Sequence, residues 1–346
     1  MANKNLIILT MLLLAACTAC RQEKDWSRGE YLLVSADADE EGTYCPSVNV
    51  AKEGTYTLYV KANVDYTMKF ESTSLEKDWV TLEGKRHDAA TGLDVITYKV
   101  SAQNGAPLRR SGTISLMAPD YYLANFITVS QGFESRAGSD FKFLQYGSAN
   151  PLEGIAGRPI AQWNETQLNQ GWTSTVGDGQ DQAWCYGRNG FLQLGDDAGH
   201  GADLFTPYEA NLRRDTVLLV YLDAAAYADR DGVRDDVTLT MEVTGGGEFL
   251  DGGKVKTFKA APMDPEAEDV ATDMWKDKGH SYYIVSQPGN MISATTRVRI
   301  MDGDYTLESG NSRVFIDNFY LFTIPHEQWE PLIGGLDWVD AAEKKQ

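Results

Sequence analysis

Histidine, cysteine and basic charge are all scarce in this 346-residue chain. The four histidines, His87, His200, His280 and His326, are scattered, and none shares the helical spacing that a two-histidine zinc site requires. Of the four cysteines, Cys17 and Cys20 fall in the leading segment. Cys45 and Cys185 are too few and too far apart for a disulfide framework, and are expected to be free and buried. Lysine and arginine total 31 against 50 aspartates and glutamates, a formal net charge of −19. Phosphate backbones and anionic head groups repel such a chain, which argues against nucleic acid as a partner. Neither a Gly-x-Ser-x-Gly elbow nor a phosphate-cradling glycine loop occurs. Abundant carboxylates are usually solvated surface, so a glycosidase is the weaker alternative and the chain is read as non-enzymatic. Long apolar runs are missing too. The run from Leu6 to Ala16 would cover about half of a ~30 Å hydrocarbon core as a helix.

What that short run does have is the grammar of export. Lys4 precedes it and small residues close it, as in a secretory signal. Leu14-Ala15-Ala16-Cys17 resembles the bacterial lipoprotein box. The resemblance implies cleavage before Cys17, acylation of its thiol and amine, and a membrane partner reached through the lipid anchor; several acyl chains give stable anchoring. An ordinary secretory cut after Ala16 or Ala19 is the alternative, and Cys20 is a poorer lipidation candidate. The expected location is the outer membrane, lipid-anchored and exposed at the cell surface. Residues 1–16 are then the signal peptide and 17–30 the lipidated cysteine and a polar tether.

From 31 to 133 the pattern has period two. Tyr56, Leu58, Val60 and Ala62 share one face; Tyr66, Met68 and Phe70 repeat the pattern, as do Ile96, Tyr98, Val100 and Ala102. Short alternating runs broken by turns signal half-buried antiparallel strands and a small β-sandwich. Within it stand Asn63-Val64-Asp65-Tyr66, Asp78-Trp79-Val80, Arg110-Ser111-Gly112-Thr113-Ile114 and Ile127-Thr128-Val129-Ser130-Gln131. This series resembles the BACON domain, an immunoglobulin-like module at the front of many gut-bacterial surface proteins and glycan-degrading enzymes. Tyr66 stands where that family usually has Trp. The resemblance implies association with carbohydrate; Trp79, inside a strand, reads as core, and the domain is expected to act mainly as a spacer.

Residues 134–140 read as a linker, and 141–325 as a second all-β domain with strands at Val217–Leu222, Val237–Val243, Tyr282–Val285, Thr295–Ile300 and Arg313–Phe322. Strand follows strand without alternating helices, which favours a jelly-roll β-sandwich over a parallel sheet. Phe191-Leu192-Gln193-Leu194-Gly195, Gly201 to Pro207 and Arg313 to Phe319 are similar to the jelly-roll domains of Bacteroidetes surface glycan-binding proteins. Residues 326–346 form an acidic tail.

Sugar recognition needs aromatic faces for pyranose C–H groups and polar side chains for hydroxyls. Trp172, Trp184 and Tyr186 flank the polar loop from Gly177 to Gln182 and are the leading carbohydrate-binding candidates; Trp275 is a fourth, and Arg188 is a possible donor. Asp229, Asp231, Asp235 and Asp236 surround Gly232, and carboxylates at that spacing could converge on a structural calcium, although a solvated hairpin tip is favoured. The expected function is non-catalytic glycan capture, as in a polysaccharide-utilisation system. The alternative is a structural or adhesive surface protein contacting another protein.

Overall fold

The computed structural model describes residues 29–38, 47–153, 157–235, 237–303, 305–307 and 313–334. Cys17, Cys45 and Asp236 lie outside the described residues. The chain is all-β and divides into two compact units, the first built chiefly from residues up to Val129 and the second from Ser130 onward. No described helix is long and apolar enough to cross a membrane.

The first sandwich holds β1 (Leu32–Ser35), β2 (Ser47–Val50), β3 (Gly54–Ala62), β4 (Thr67–Ser72), β5 (Val80–Asp88), β6 (Leu93–Val100), β7 (Arg110–Ala118) and β8 (Leu123–Gln131). One sheet runs β1-β3-β6-β5 and the other β2-β8-β7-β4, the immunoglobulin-like partition. The alternation in the sequence selects the buried faces. Leu58, Ile96, Tyr98, Ile114, Leu116 and Ile127 are all fully enclosed. So is Trp79, whose indole N–H donates to Ser72 Oγ at 3.0 Å and whose ring meets Phe70 edge-on at 5.4 Å.

The second unit contains β9 (Glu134–Ser139), β10 (Arg158–Pro159), β11 (Cys185–Gly187), β12 (Leu192–Leu194), β13 (Ala202–Phe205), β14 (Val217–Ala226), β15 (Thr238–Thr244), β16 (Glu248–Phe249), β17 (Val255–Lys259), β18 (Ala261–Pro262), β19 (Gly279–Val285), β20 (Arg297–Asp302) and β21 (Val314–Ile324). The larger sheet runs β10-β11-β12-β21-β14-β19-β16 and the smaller β13-β20-β15-β17. Taken in chain order, strands cross between the two sheets in the jelly-roll sequence. Glu134–Ser139, expected to be a linker, is instead a strand paired with Phe319–Thr323 of β21, on the edge that the short β12 leaves open beyond Ile316. Its polar side chains resemble a linker, but its backbone completes the ladder. The tail is anchored at its start, because Trp329 is buried and donates its indole N–H to the Ile324 carbonyl at 2.9 Å.

All ten residues of β14 are buried. Leu218, Val220, Leu222, Ala224 and Ala226 enter the core between the sheets, while Val217, Leu219 and Tyr221 join Phe133, Tyr320, Phe322 and Trp329 on the opposite face. Farther along that outer face, Ala225 packs with Phe191, Phe315, Met263, Val270 and Met274. The strand reads as a continuous apolar run because both of its faces are covered.

Trp79→Ala is expected to destabilise the first sandwich by about 3–5 kcal/mol, the usual cost of emptying a buried indole site, and to leave ligand binding by the intact remainder unchanged. Urea denaturation followed by tryptophan fluorescence measures the first; the carbohydrate retention assay described below measures the second.

Candidate functional site

The site grows from the β11–β12 hairpin. Arg188 N–H donates to the Phe191 carbonyl at 2.8 Å, closing the turn over Asn189 and Gly190. Gly190 takes a φ of 86°, which suits glycine. On the β11 side of the hairpin, Ala183, Cys185 and Gly187 are buried toward the core, so Trp184, Tyr186 and Arg188 share the outer face at the two-residue spacing of a strand. Gln193 lies opposite Tyr186 on that same face.

Trp184 and Tyr186 are half-buried, with ring centroids 6.3 Å apart. The imidazole of His200 stacks on Trp184 at 4.0 Å with only 5° between the planes. The indole N–H donates to Gln180 Oε1 at 2.8 Å, which ties the Gly177–Gln182 loop to the strand. His200 Nδ1 contacts Asp196 Oδ2 at 2.6 Å. Burial, with the charges of Asp196 and Asp197 added, pushes the Tyr186 hydroxyl up to about 12, so it remains a neutral donor and acceptor at neutral pH. Burial likewise pushes the Cys185 thiol up, leaving an inert core residue.

Arg188, the donor candidate, is only 5% exposed. Its Nη1 donates to Gln193 Oε1 at 2.9 Å, and Gln193 in turn donates to the Gly195 carbonyl at 3.0 Å. Its Nε is buried without a hydrogen-bond partner. The guanidinium stands 5.7 Å from the Phe191 ring. Trp275, half-buried, meets Phe191 edge-on at 5.7 Å and so lies farther along the same outer face, within the apolar cluster there.

Trp172 departs from its expected role. It is 3% exposed and wedged between Phe141 at 4.9 Å and Phe319 at 5.6 Å, inside the core. No sugar ring can reach it. The described aspartates around Gly232 are directed elsewhere than to a shared ion. Asp235 is turned to Arg313, with Oδ2 to Nε at 3.0 Å. Asp229 Oδ1 accepts from the backbone of Asp231 and Val233 at 3.0 and 2.9 Å, stabilising the turn. Asp231 is exposed, and among the described residues no group of three or more histidine, cysteine or acidic side chains could hold a metal ion.

The outer face of the smaller sheet carries a second aromatic group that the sequence did not flag. Tyr208 and Tyr305 are 66% and 54% exposed, with Arg297 over the first ring at 4.4 Å and Arg299 over the second at 5.6 Å. These arginines are already committed, however. Arg299 faces Asp203 at 2.8 Å and Glu242 at 3.5 Å, while Arg297 donates to Thr173 Oγ1 at 2.7 Å. A cleft of about 370 Å³ is lined in part by Arg136, Asp215, Thr323, His326 and Trp329. It opens at the Ile324 end of β21, whereas the hairpin site flanks Phe315, roughly 25 Å away along the strand.

Facing carboxylates do occur, at Asp223 and Asp317 across β14 and β21. Asp223 accepts from Tyr221 Oη and from Asn318 Nδ2, each at 2.7 Å, and is 4% exposed. Asp317 accepts from the Asn318 backbone N–H at 2.7 Å, where Asn318 adopts a φ of 48°. Burial raises both carboxyls; Asp317 reaches about 7, with Asp223 and Asp140 adding to the rise and Lys142 opposing it. The oxygens of Asp223 are held by neighbours in a packed sheet, an arrangement suited to structure.

No protein-family model matches the chain, and no curated protein matches it in sequence.

The Asp317 carboxyl binds its proton more tightly folded than unfolded, so its contribution is fully present below the ordinary carboxylate range and is lost as pH rises through about 7. Asp317→Asn keeps an acceptor for the Asn318 N–H and removes the charge. It is expected to raise stability by about 1–3 kcal/mol at pH 8 and to flatten the decline between pH 5 and 8, measured by thermal denaturation across that range.

Proposed function

We propose that this chain is a non-catalytic lipoprotein of the bacterial outer-membrane surface that captures carbohydrate on the β11–β12 hairpin of its jelly roll. The observation that carries the reading is the pair of half-exposed rings, Trp184 and Tyr186, side by side at 6.3 Å and edged by Gln180, His200 and Asp196. Pyranose C–H faces stack on such rings, and hydroxyls pair with the amide, imidazole and carboxylate groups around them. Lipidation at Cys17, the tether and the BACON-like character of the first sandwich belong to the same reading. In that reading the first domain serves as a spacer. The buried Trp79 supports the spacer role, since it offers no sugar platform.

A second reading, contact with another protein, draws on the first sandwich. Tyr122 is 98% exposed at the β7–β8 turn, and Tyr121, Phe126 and Met117 are exposed beside it in sequence. Exposed apolar groups gathered on one hairpin suit adhesion.

The full chain in detergent, run through gels cast with a panel of plant, host and microbial polysaccharides, is expected to be retarded by at least one. Trp184→Ala should weaken that retention by roughly thirtyfold, about 2 kcal/mol of lost stacking and burial, whereas Tyr122→Ala should not change it. Absence of retention on every polysaccharide would overturn carbohydrate capture and leave protein adhesion as the surviving reading. Radiolabelled palmitate should enter the wild type and not Cys17→Ser.

A further inference from the structure

We infer that the hairpin site takes an acidic sugar, one bearing a carboxylate or sulfate group, and that Arg188 is the residue that receives that group. The inference rests on the carbohydrate reading above and specifies its ligand class. Its basis is an imbalance of charge. An arginine guanidinium stays ionised in proteins and presents a fork of donors matched to carboxylates and sulfate-like oxyanions. Among the other buried arginines, Arg299 meets Asp203, Arg297 donates to the Thr206 carbonyl and to Thr173 Oγ1, and Arg110 donates to the amide of Gln131. Arg188 is 95% buried, its side-chain hydrogen bond goes to a neutral amide, and its Nε has no partner. Burial alone sets the direction of its pKa, downward, with no neighbouring carboxylate opposing it. A buried cation without a counter-ion weakens a fold.

The placement agrees with a ligand role. Arg188 follows Tyr186 by one two-residue step on the same face, about 7 Å along the strand. A ring resting on Tyr186 therefore holds a group at its rim within reach of the guanidinium. Gly157 packs against both: a Cβ there would come to 2.7 Å from Arg188 Cδ and 2.9 Å from Tyr186 Cβ, so only glycine fits this close to the two side chains. Of the nearby acids, Asp196 is paired with His200, while Asp197 is exposed and adds its charge to the field at Tyr186. With a formal charge of −19 the whole protein repels polyanions, so binding to one would have to come from a local site and not from a general basic surface.

The test compares, on the full chain in detergent, a uronic-acid polymer (polygalacturonate and alginate), the carboxyl-reduced form of the same polymer, and a sulfated neutral polymer such as dextran sulfate beside plain dextran. Binding to an acidic member at least tenfold tighter than to its neutral counterpart supports the inference, and the carboxylate and sulfate arms identify which group is received. Arg188→Met should abolish that preference while its melting temperature stays equal or rises, because an unpaired buried charge has gone. Arg188→Lys, which keeps the charge and loses the fork, should retain only part of the preference. Equal binding of acidic and neutral polymers, or a preference that survives in Arg188→Met, overturns the inference and leaves carbohydrate capture standing. A melting temperature that drops in Arg188→Met, with the polymer preference unaltered, assigns Arg188 a structural role and also overturns it. Failure of every polymer, neutral ones included, removes the carbohydrate reading and the inference together.

Discussion

The pairing of β14 with β21 constrains the second unit more than any other contact. β14 has all ten residues buried, so its backbone donors and acceptors must be satisfied by neighbouring strands and both of its faces must be covered. The inner face is covered by the smaller sheet. The outer face is covered in two places, by the cluster around Phe322 and Trp329 and by the cluster around Phe315 and Met263. Between them lies the bulge at Tyr221 and Asp223, where Asn318 adopts a left-handed conformation and the acid pair sits. What remains less covered is the margin of the sheet beyond β12. Trp184 and Tyr186 are half-exposed there because they stand at the limit of that cover.

Much of this architecture is legible from alternation and apolar runs. The run from Val217 onward, the period of Thr238–Thr244 and the apolar pattern of Val314–Ile324 each announce a strand, and their succession without intervening helices announces a sandwich. The strand Glu134–Ser139 was hidden because its contribution is made by the backbone. Glu-Ser-Arg-Ala-Gly-Ser has the composition of a linker, and only the unfilled edge of β21 explains why it is ordered as a strand. Sequence composition reports on side chains, whereas edge completion depends on where another segment ends.

The site shows the same division. Trp172 and Trp184 flank the same polar loop, and nothing in their immediate neighbours separates them. They part company in space, because Trp172 meets Phe141 and Phe319 while Trp184 meets His200 and Gln180. One local signal was present all the same. Trp184-Cys185-Tyr186-Gly187-Arg188, followed by Asn189-Gly190, is an alternating strand running into a tight turn, with Cys185 marking the inward face. That pattern sets the two aromatics and the arginine on one side. The aspartates around Gly232 had the right spacing for a cation but not the freedom, since Arg313 arrives from a strand far along the sequence to occupy Asp235.

Charge ties these points together. An acidic protein has carboxylates to spare, and Arg299 uses one, whereas Arg188 and Arg297 donate to neutral groups. Supplying one to Arg188 would have needed no more than an acid at a neighbouring position, for example in place of Gln193, which already touches it. The chain instead has a neutral amide there, a glycine at 157 where a side chain would intrude, and two partly open rings one step along the strand. Each of these choices lowers stability slightly or leaves it unimproved. Taken together they leave one buried donor nitrogen unmatched beside two partly open rings.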